Sequence, residues 1–340
     1  MINRKIFIHR PKKGHSTLKI LFLGMLVTIV ALEIVAVLAI RKSRGPLPPL
    51  VGNFPEIRTS LEEAAAKEQF SFAVFGDTEG ATGSFDLLAG KLRRQPVDFA
   101  IHLGDAYAET YPYFRAELHD DLRLPFPLFL VPGNHDLDGV SLKEFEKNFG
   151  PSLFSFTYQE CLFIGLRISG GLDNTAASLA FLEHTLVEQG AAARKIFVFM
   201  HVPTTILPGR KFSAPPELTT LFTAHQVDYV FSGHFHGYAQ VQTEETTYIV
   251  TGAAGKHLEE NSPYGQFHHG VVMTVGPGNR VSEAIVPLPV TYDLKSKLHR
   301  FVIIELYPWL RQNRGLAVVG NLLVALLILR TLGSLFRRGR

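Results

Sequence analysis

The chain has 340 residues, 46% of them hydrophobic, with 26 phenylalanines, which excludes a disordered or collagen-like class and allows a sizeable core. One cysteine, Cys161, excludes an internal disulfide framework and a cysteine-ligated zinc cluster. The net charge of +3 conceals a division: residues 1–45 and 301–340 are basic, and the body between carries −10, which argues against a nucleic-acid-binding surface.

In chain order, residues 1–45 read as a cytoplasmic tail and membrane anchor. Ile20–Ile40 is 21 residues with one charge, Glu33. As a helix it would rise about 31 Å, enough for a hydrocarbon core. Six basic residues precede it (Arg4, Lys5, Arg10, Lys12, Lys13, Lys19) and three follow it (Arg41, Lys42, Arg44), so the N-terminus is expected in the cytoplasm and the body outside it. No clear small-x-small site follows the run, and an uncleaved anchor is expected. GPLPPL, residues 45–50, reads as a stiff linker, and 46–67 as linker plus a leading helix.

Residues 68–292 are expected to form the main folded domain. Five apolar, β-rich runs there stop abruptly at glycine or proline beside a metal-competent side chain. FSFAVFGD ends at Asp77, VDFAIHLGD at Asp105, and FPLFLVPGNHD at Asn134, His135 and Asp136; KIFVFMHVP ends at His201, and VDYVFSGHFH at His234 and His236. Such runs read as strands buried on both faces. Helices are expected between them: Ser60–Gln69, opened by a Ser60/Glu63 capping box, then Ser84–Arg94, Ser141–Phe149, Ser178–Gln189 and Glu217–His225. The alternation predicts a largely parallel central sheet with ligands at its carboxyl ends. The later runs TTYIVTGAAG and HHGVVMTV…RVSEAIVPL have short connections and predict antiparallel strands of a second sheet. Cys161, inside ECLFIGL, reads as a buried strand thiol. Residues 293–340 are expected to hold an amphipathic segment and a second span, because Gly315–Leu329 is apolar and extends to Phe336 if Arg330 snorkels; an interfacial helix is the alternative.

Carboxylates, an amide and imidazoles gathered at strand ends can hold two divalent cations, with Asp105 able to bridge. Two ions about 3.5–4 Å apart activate water and clamp an in-line displacement at phosphorus. His234 and His236 lie two apart on an extended segment, facing the same side about 6–7 Å apart, so each can serve a different ion.

At these residues the sequence resembles the calcineurin-like metallophosphoesterase superfamily, whose ordered motifs stand here as GDTE, GD at 104–105, GNHD at 133–136, MHVP at 200–203 and GHFH at 233–236. The resemblance covers roughly residues 68–290. It implies an α/β fold, a four-layer α-β-β-α sandwich of two mixed sheets flanked by helices. It also implies two metal ions (Mn, Fe or Zn). Asp77 and His236 would bind the first, Asp105 would bridge, and Asn134, His201 and His234 would bind the second. His135 would meet the phosphoryl group as proton donor or charge stabiliser, with Asp136 orienting it. Glu79 stands where the family commonly has histidine and is a candidate ligand; Tyr107 lies two residues after Asp105, where a GDxxY branch places its tyrosine three after. Tyr107, Arg167 and His269 are candidate substrate contacts. His102 reads as a core residue, and His119, His184 and His225 as surface or boundary residues. GAAGKH, residues 252–257, lacks the earlier glycine and the Ser/Thr of a phosphate loop and is rejected as one.

These observations predict a membrane-anchored phosphoesterase acting on phosphate mono- or diesters through a metal-bridging hydroxide. Lipid-linked esters are compatible with the anchor, and no nucleic-acid partner is expected. The alternative is a non-catalytic metal-binding or scaffold protein with a degenerate site, which the departure at Glu79 keeps open.

Overall fold

The structure is a computed structural model describing residues 14–43, 46–78, 82–106, 124–138, 140–170, 175–204, 207, 211–259, 264–289, 294, 297–298 and 301–336. Glu79, Tyr107 and His119 fall outside the described residues. The chain divides into two compact units, Ile40–Arg300 and a second formed by Met1–Ala39 with Phe301–Arg340.

The larger unit is built on two sheets. The first contains β1 (Phe70–Phe75), β2 (Phe99–His102), β3 (Leu128–Leu130), β10 (His269–Val275) and β11 (Val281–Pro287), in the order β11-β10-β1-β2-β3. The second contains β4 (Phe154–Tyr158), β5 (Cys161–Gly165), β6 (Lys195–Met200), β7 (Tyr229–Ser232), β8 (Tyr238–Gln242) and β9 (Thr247–Thr251), in the order β4-β5-β6-β7-β9-β8. Strands β1, β2 and β3 are mutually parallel, and so are β5, β6, β7 and β9. Both sheets are mixed, because β10 pairs with β1 antiparallel and β4 and β8 pair antiparallel at the edges of the second.

The phenylalanines explain the layering. On β1, Phe72 and Val74 point into the space between the sheets, while Ala73 and Phe75 point outward. Phe99, Phe129, Phe154, Phe156, Phe163, Phe197, Phe199 and Phe231 join Phe72 in that space. Their rings interlock: Phe72 meets Phe197 edge-on at 5.1 Å, and Phe99 meets Phe163 edge-on at 5.0 Å. Each fully buried ring contributes about 1.5–3 kcal/mol, so this interleaf holds the two sheets in one body. The outer face of the first sheet packs on α3 (Thr82–Leu92) and α5 (Leu142–Phe149), through Phe85, Leu88, Phe145 and Phe149. The outer face of the second packs on α6 (Thr175–Gln189) and α7 (Glu217–Ala224), through Leu182, Leu186, Leu218 and Phe222. The four-layer α-β-β-α sandwich is the observed architecture.

Three local expectations are corrected. The five strand-end runs do not share one central sheet: three supply β1, β2 and β3, and two supply β6 and β7 of the other. The late runs are likewise divided, β9 lying parallel to β7 and β10–β11 flanking β1. Hydrophobic periodicity marks a strand without naming its neighbour. The leading helix is α2 (Pro55–Glu62), not Ser60–Gln69. Pro55 at its start presets the helical φ, and Ser60 Oγ bonds back to the Ile57 carbonyl at 2.7 Å instead of capping. Cys161 is buried in β5, and burial raises its thiol pKa.

The smaller unit contains α1 (Gly14–Ser43), α8 (Tyr307–Gln312) and α9 (Arg314–Phe336). Thr17–Leu38 and Arg314–Leu335 are each 22 residues, long and apolar enough to cross a bilayer by length and composition. Lys19 Nζ donates to Ser334 Oγ at 2.8 Å, which brings the first turns of α1 beside the last turns of α9.

Candidate metal centre

The parallel strands of both sheets deliver their carboxyl ends to one place. Asp77 follows β1, Asp105 follows β2, and Asn134, His135 and Asp136 open α4 (Asn134–Leu137) after β3. His201 follows β6, and His234 and His236 follow β7. Asp77, Asp105 and His201 are buried, and one donor atom from each lies within 4.8 Å of the others.

One cluster is tight. Asn134 Oδ1 lies 3.0 Å from His201 Nε2 and 3.0 Å from His234 Nδ1, and the two ring nitrogens are 3.2 Å apart. Asp105 Oδ1 lies 3.4 Å from His201 Nε2. Donors bound at about 2.1 Å to a common ion sit about 3.0 Å apart at right angles, so these spacings match the edges of a coordination shell. The protons agree. His201 Nδ1 can only donate to the Leu103 carbonyl, at 2.8 Å, which leaves a bare lone pair on Nε2 facing the Asn134 oxygen. Burial holds His201 at a pKa of about 3, and burial together with His201 holds His234 at about 4. Both rings are therefore neutral at physiological pH, the form that binds metal. Asp105 Oδ2 is buried without a hydrogen-bond partner, an orphan acceptor that a cation would satisfy. The donor set fits a divalent ion.

A second group stands beside it. His236 Nε2 is 3.5 Å from Asp77 Oδ1. The backbone N–H of His234 donates to both Asp77 oxygens, at 3.0 and 3.1 Å. Gly233 is required by close approach: a Cβ there would lie 2.5 Å from Asp77 Oδ2, and one on Gly252 would lie 2.6 Å from the same atom. Asp77, Asp105 and His234 adopt φ of 57°, 55° and 65°. Left-handed backbone at a non-glycine residue costs roughly 1–2 kcal/mol, and here it turns all three side chains into the cleft.

Neighbouring residues hold the loops. His102, fully buried with its pKa lowered to about 3 chiefly by burial, accepts from Gly104 N at 3.1 Å and bonds Thr78 Oγ1 at 3.1 Å. It thus ties the Asp77 loop to the Asp105 loop, in keeping with its expected core role. Asp136 Oδ2 accepts from Asp105 N and Gly133 N, each at 2.8 Å, so these bonds fix the Asp105 and GNHD turns. His135 N donates to Asp105 Oδ1 at 3.0 Å, and its ring is one-third exposed at the mouth.

The weaker substrate candidates sit elsewhere. His269 is fully buried, with Nε2 on Thr251 Oγ1 at 3.0 Å and Nδ1 on the Phe267 carbonyl at 2.8 Å, so it packs behind β9 and does not line the cleft. Arg167 is buried and donates to Ser152 Oγ at 2.9 Å, a partner outside the ligand set.

The sequence reading, which rejects GAAGKH as a phosphate loop, gives Lys256 no role in the site. Its Nζ lies 3.1 Å from His135 Nε2 and 3.8 Å from Asp105 Oδ2, on a side chain only 11% exposed. The signal was present: TTYIVTGAAGK is another apolar run ending in glycine and a polar side chain. Without a helix on either side, the run reads as an antiparallel strand, and that hides its polar end.

Residues 70–238 match the family model for calcineurin-like phosphoesterase. The serine/threonine-protein phosphatase CPPED1 of Bos taurus is 26% identical over 218 residues, which span 56% of this chain and 68% of that protein. Among solved structures, a purple acid phosphatase from yellow lupin (Lupinus luteus) is 15% identical with a TM-score of 0.49, covering 69% of this chain and 55% of its own. A dimetal phosphatase from Danio rerio is 13% identical with a TM-score of 0.48, covering 65% of this chain and 99% of its own. Motifs, family match and curated relatives agree: the chain carries a calcineurin-like phosphoesterase domain.

Proposed function

We propose that the chain is a membrane-anchored, dinuclear-metal phosphoesterase whose catalytic unit lies outside the cytoplasm. The observation carrying this reading is the convergence of Asn134 Oδ1, His201 Nε2 and His234 Nδ1 within 3.2 Å, with Asp105 beside them, its buried Oδ2 without a hydrogen bond. Asn134, His201 and His234 would hold one ion, Asp77 and His236 the other, and Asp105 would bridge. When bound, the ions supply Lewis-acid charge to the phosphoryl oxygens and lower the pKa of water.

The chain's residues do the rest. The Leu103 carbonyl fixes the His201 tautomer, and the Asp136 carboxylate holds the turn that aims Asp105. His135, at the mouth, is placed to stabilise charge or move a proton at the leaving oxygen. The extracytoplasmic placement rests on the basic bias before α1 and on two apolar helices whose outer ends meet at Lys19 and Ser334. Anchoring would set the site within reach of lipid-linked phosphate esters.

One experiment tests chemistry and placement together. Intact cells producing the full chain receive membrane-impermeant phosphomonoesters and phosphodiesters, with a His201→Ala variant as control. Release of phosphate or alcohol without lysis, absent in the control, is expected. Hydrolysis that appears only after lysis contradicts the topology. No hydrolysis in either preparation favours a non-catalytic scaffold.

A further inference from the structure

The loop after β9 places a cation beside the metal ligands. Lys256 N donates to the Asp77 carbonyl at 3.0 Å, and Ala254 N to the Gly76 carbonyl at 3.0 Å, so the loop is sewn to the end of β1. The side chain then crosses the cleft to His135 Nε2 and the Asp105 carboxylate, at 3.1 and 3.8 Å. An ammonium has only donors, so His135 Nε2 accepts from it. A lysine that served the fold alone would not be expected to end between the exposed imidazole of the site and the carboxylate at its centre.

We propose that Lys256 is a phosphate-binding residue that selects monoesters, its ammonium leaving His135 for a non-esterified oxygen when substrate enters. This rests on the phosphoesterase reading and names its substrate class. A phosphomonoester presents three non-esterified oxygens and two negative charges near neutral pH; a diester presents two oxygens and one charge. Two ions, when bound, would engage two oxygens. The third, which only a monoester has, is the one that a further cation can hold. Lys256 lies beside Asp105 at the centre of the ligand set and also touches the residue facing the leaving group. The move would free His135 Nε2 as well, coupling occupancy by a dianionic phosphoryl group to the availability of that nitrogen.

The test uses the full chain in detergent, loaded with metal, as wild type, Lys256→Met and Lys256→Arg. Calorimetry measures binding of inorganic phosphate, elemental analysis measures bound metal, and kinetics compare p-nitrophenyl phosphate with bis(p-nitrophenyl) phosphate. Losing one hydrogen bond between charged groups predicts about 10- to 100-fold weaker phosphate binding in Lys256→Met. Monoester kcat/KM is expected to fall in parallel, diester kcat/KM by less than about 3-fold, with metal content unchanged and substantial rescue by arginine, which keeps the charge. Unchanged phosphate affinity, loss of bound metal, or equal falls on both esters would overturn the assignment, as would a wild type that binds no phosphate. If Lys256→Met weakens phosphate binding in a protein that hydrolyses neither ester, the catalytic reading fails and Lys256 still stands as a phosphate ligand.

Discussion

His201→Ala and Asn134→Ala are each expected to lower metal occupancy and cut turnover by a factor on the order of 10³ or more, the scale of a lost Lewis-acid centre worth several kcal/mol. Each removes one of three donors that lie within 3.2 Å of one another. His201→Ala also deletes the bond to the Leu103 carbonyl that joins β2 to the end of β6. It should therefore reduce thermal stability more than Asn134→Ala, whose side chain is half-buried. Elemental analysis of dialysed protein, read beside kcat, checks both; full metal content in either variant would remove that residue from the ligand set.

His135→Ala is expected to behave differently. Metal content should be retained, because on the proposed reading this ring meets the phosphoryl group and not a metal ion, and it is one-third exposed. The rate should fall on the order of 10²–10⁴-fold, the usual contribution of a positioned acid–base group. Substrates with a better leaving group should lose less, since they need less protonation as the bond to phosphorus breaks. Metal loss equal to that of His201→Ala would refute a separate role for His135.

What could be read from the sequence follows from what is local. Strand ends are local events, and an apolar run that stops at glycine beside Asp77 or His201 declares itself in a few residues. The order of GNHD and GHFH carried the family and, through it, the four layers. Pairing is not local: nothing in KIFVFM distinguishes a neighbour of β5 from a neighbour of β3, so five runs expected side by side divide between the two sheets. The left-handed backbone at Asp77, Asp105 and His234 was equally hidden, because it is imposed by opposing loops. Asp136 follows His135 in sequence, yet its Oδ2 bonds reach backward to Gly133 and across to Asp105. Lys256 reaches a histidine 121 positions earlier, a distance only the folded chain closes. Ser60 and Glu63 formed a plausible capping pair, and Pro55 started the helix before either could act.

The central claim is a two-ion site bridged by Asp105. Its most direct test is metal stoichiometry on full-length protein, purified without chelator, beside the Asp105→Asn variant. The account predicts close to two ions per chain in the wild type and loss of both sites' affinity in Asp105→Asn, since a neutral amide replaces the shared anionic donor. A single ion per chain under saturating metal, or an Asp105→Asn variant that keeps two, would contradict it.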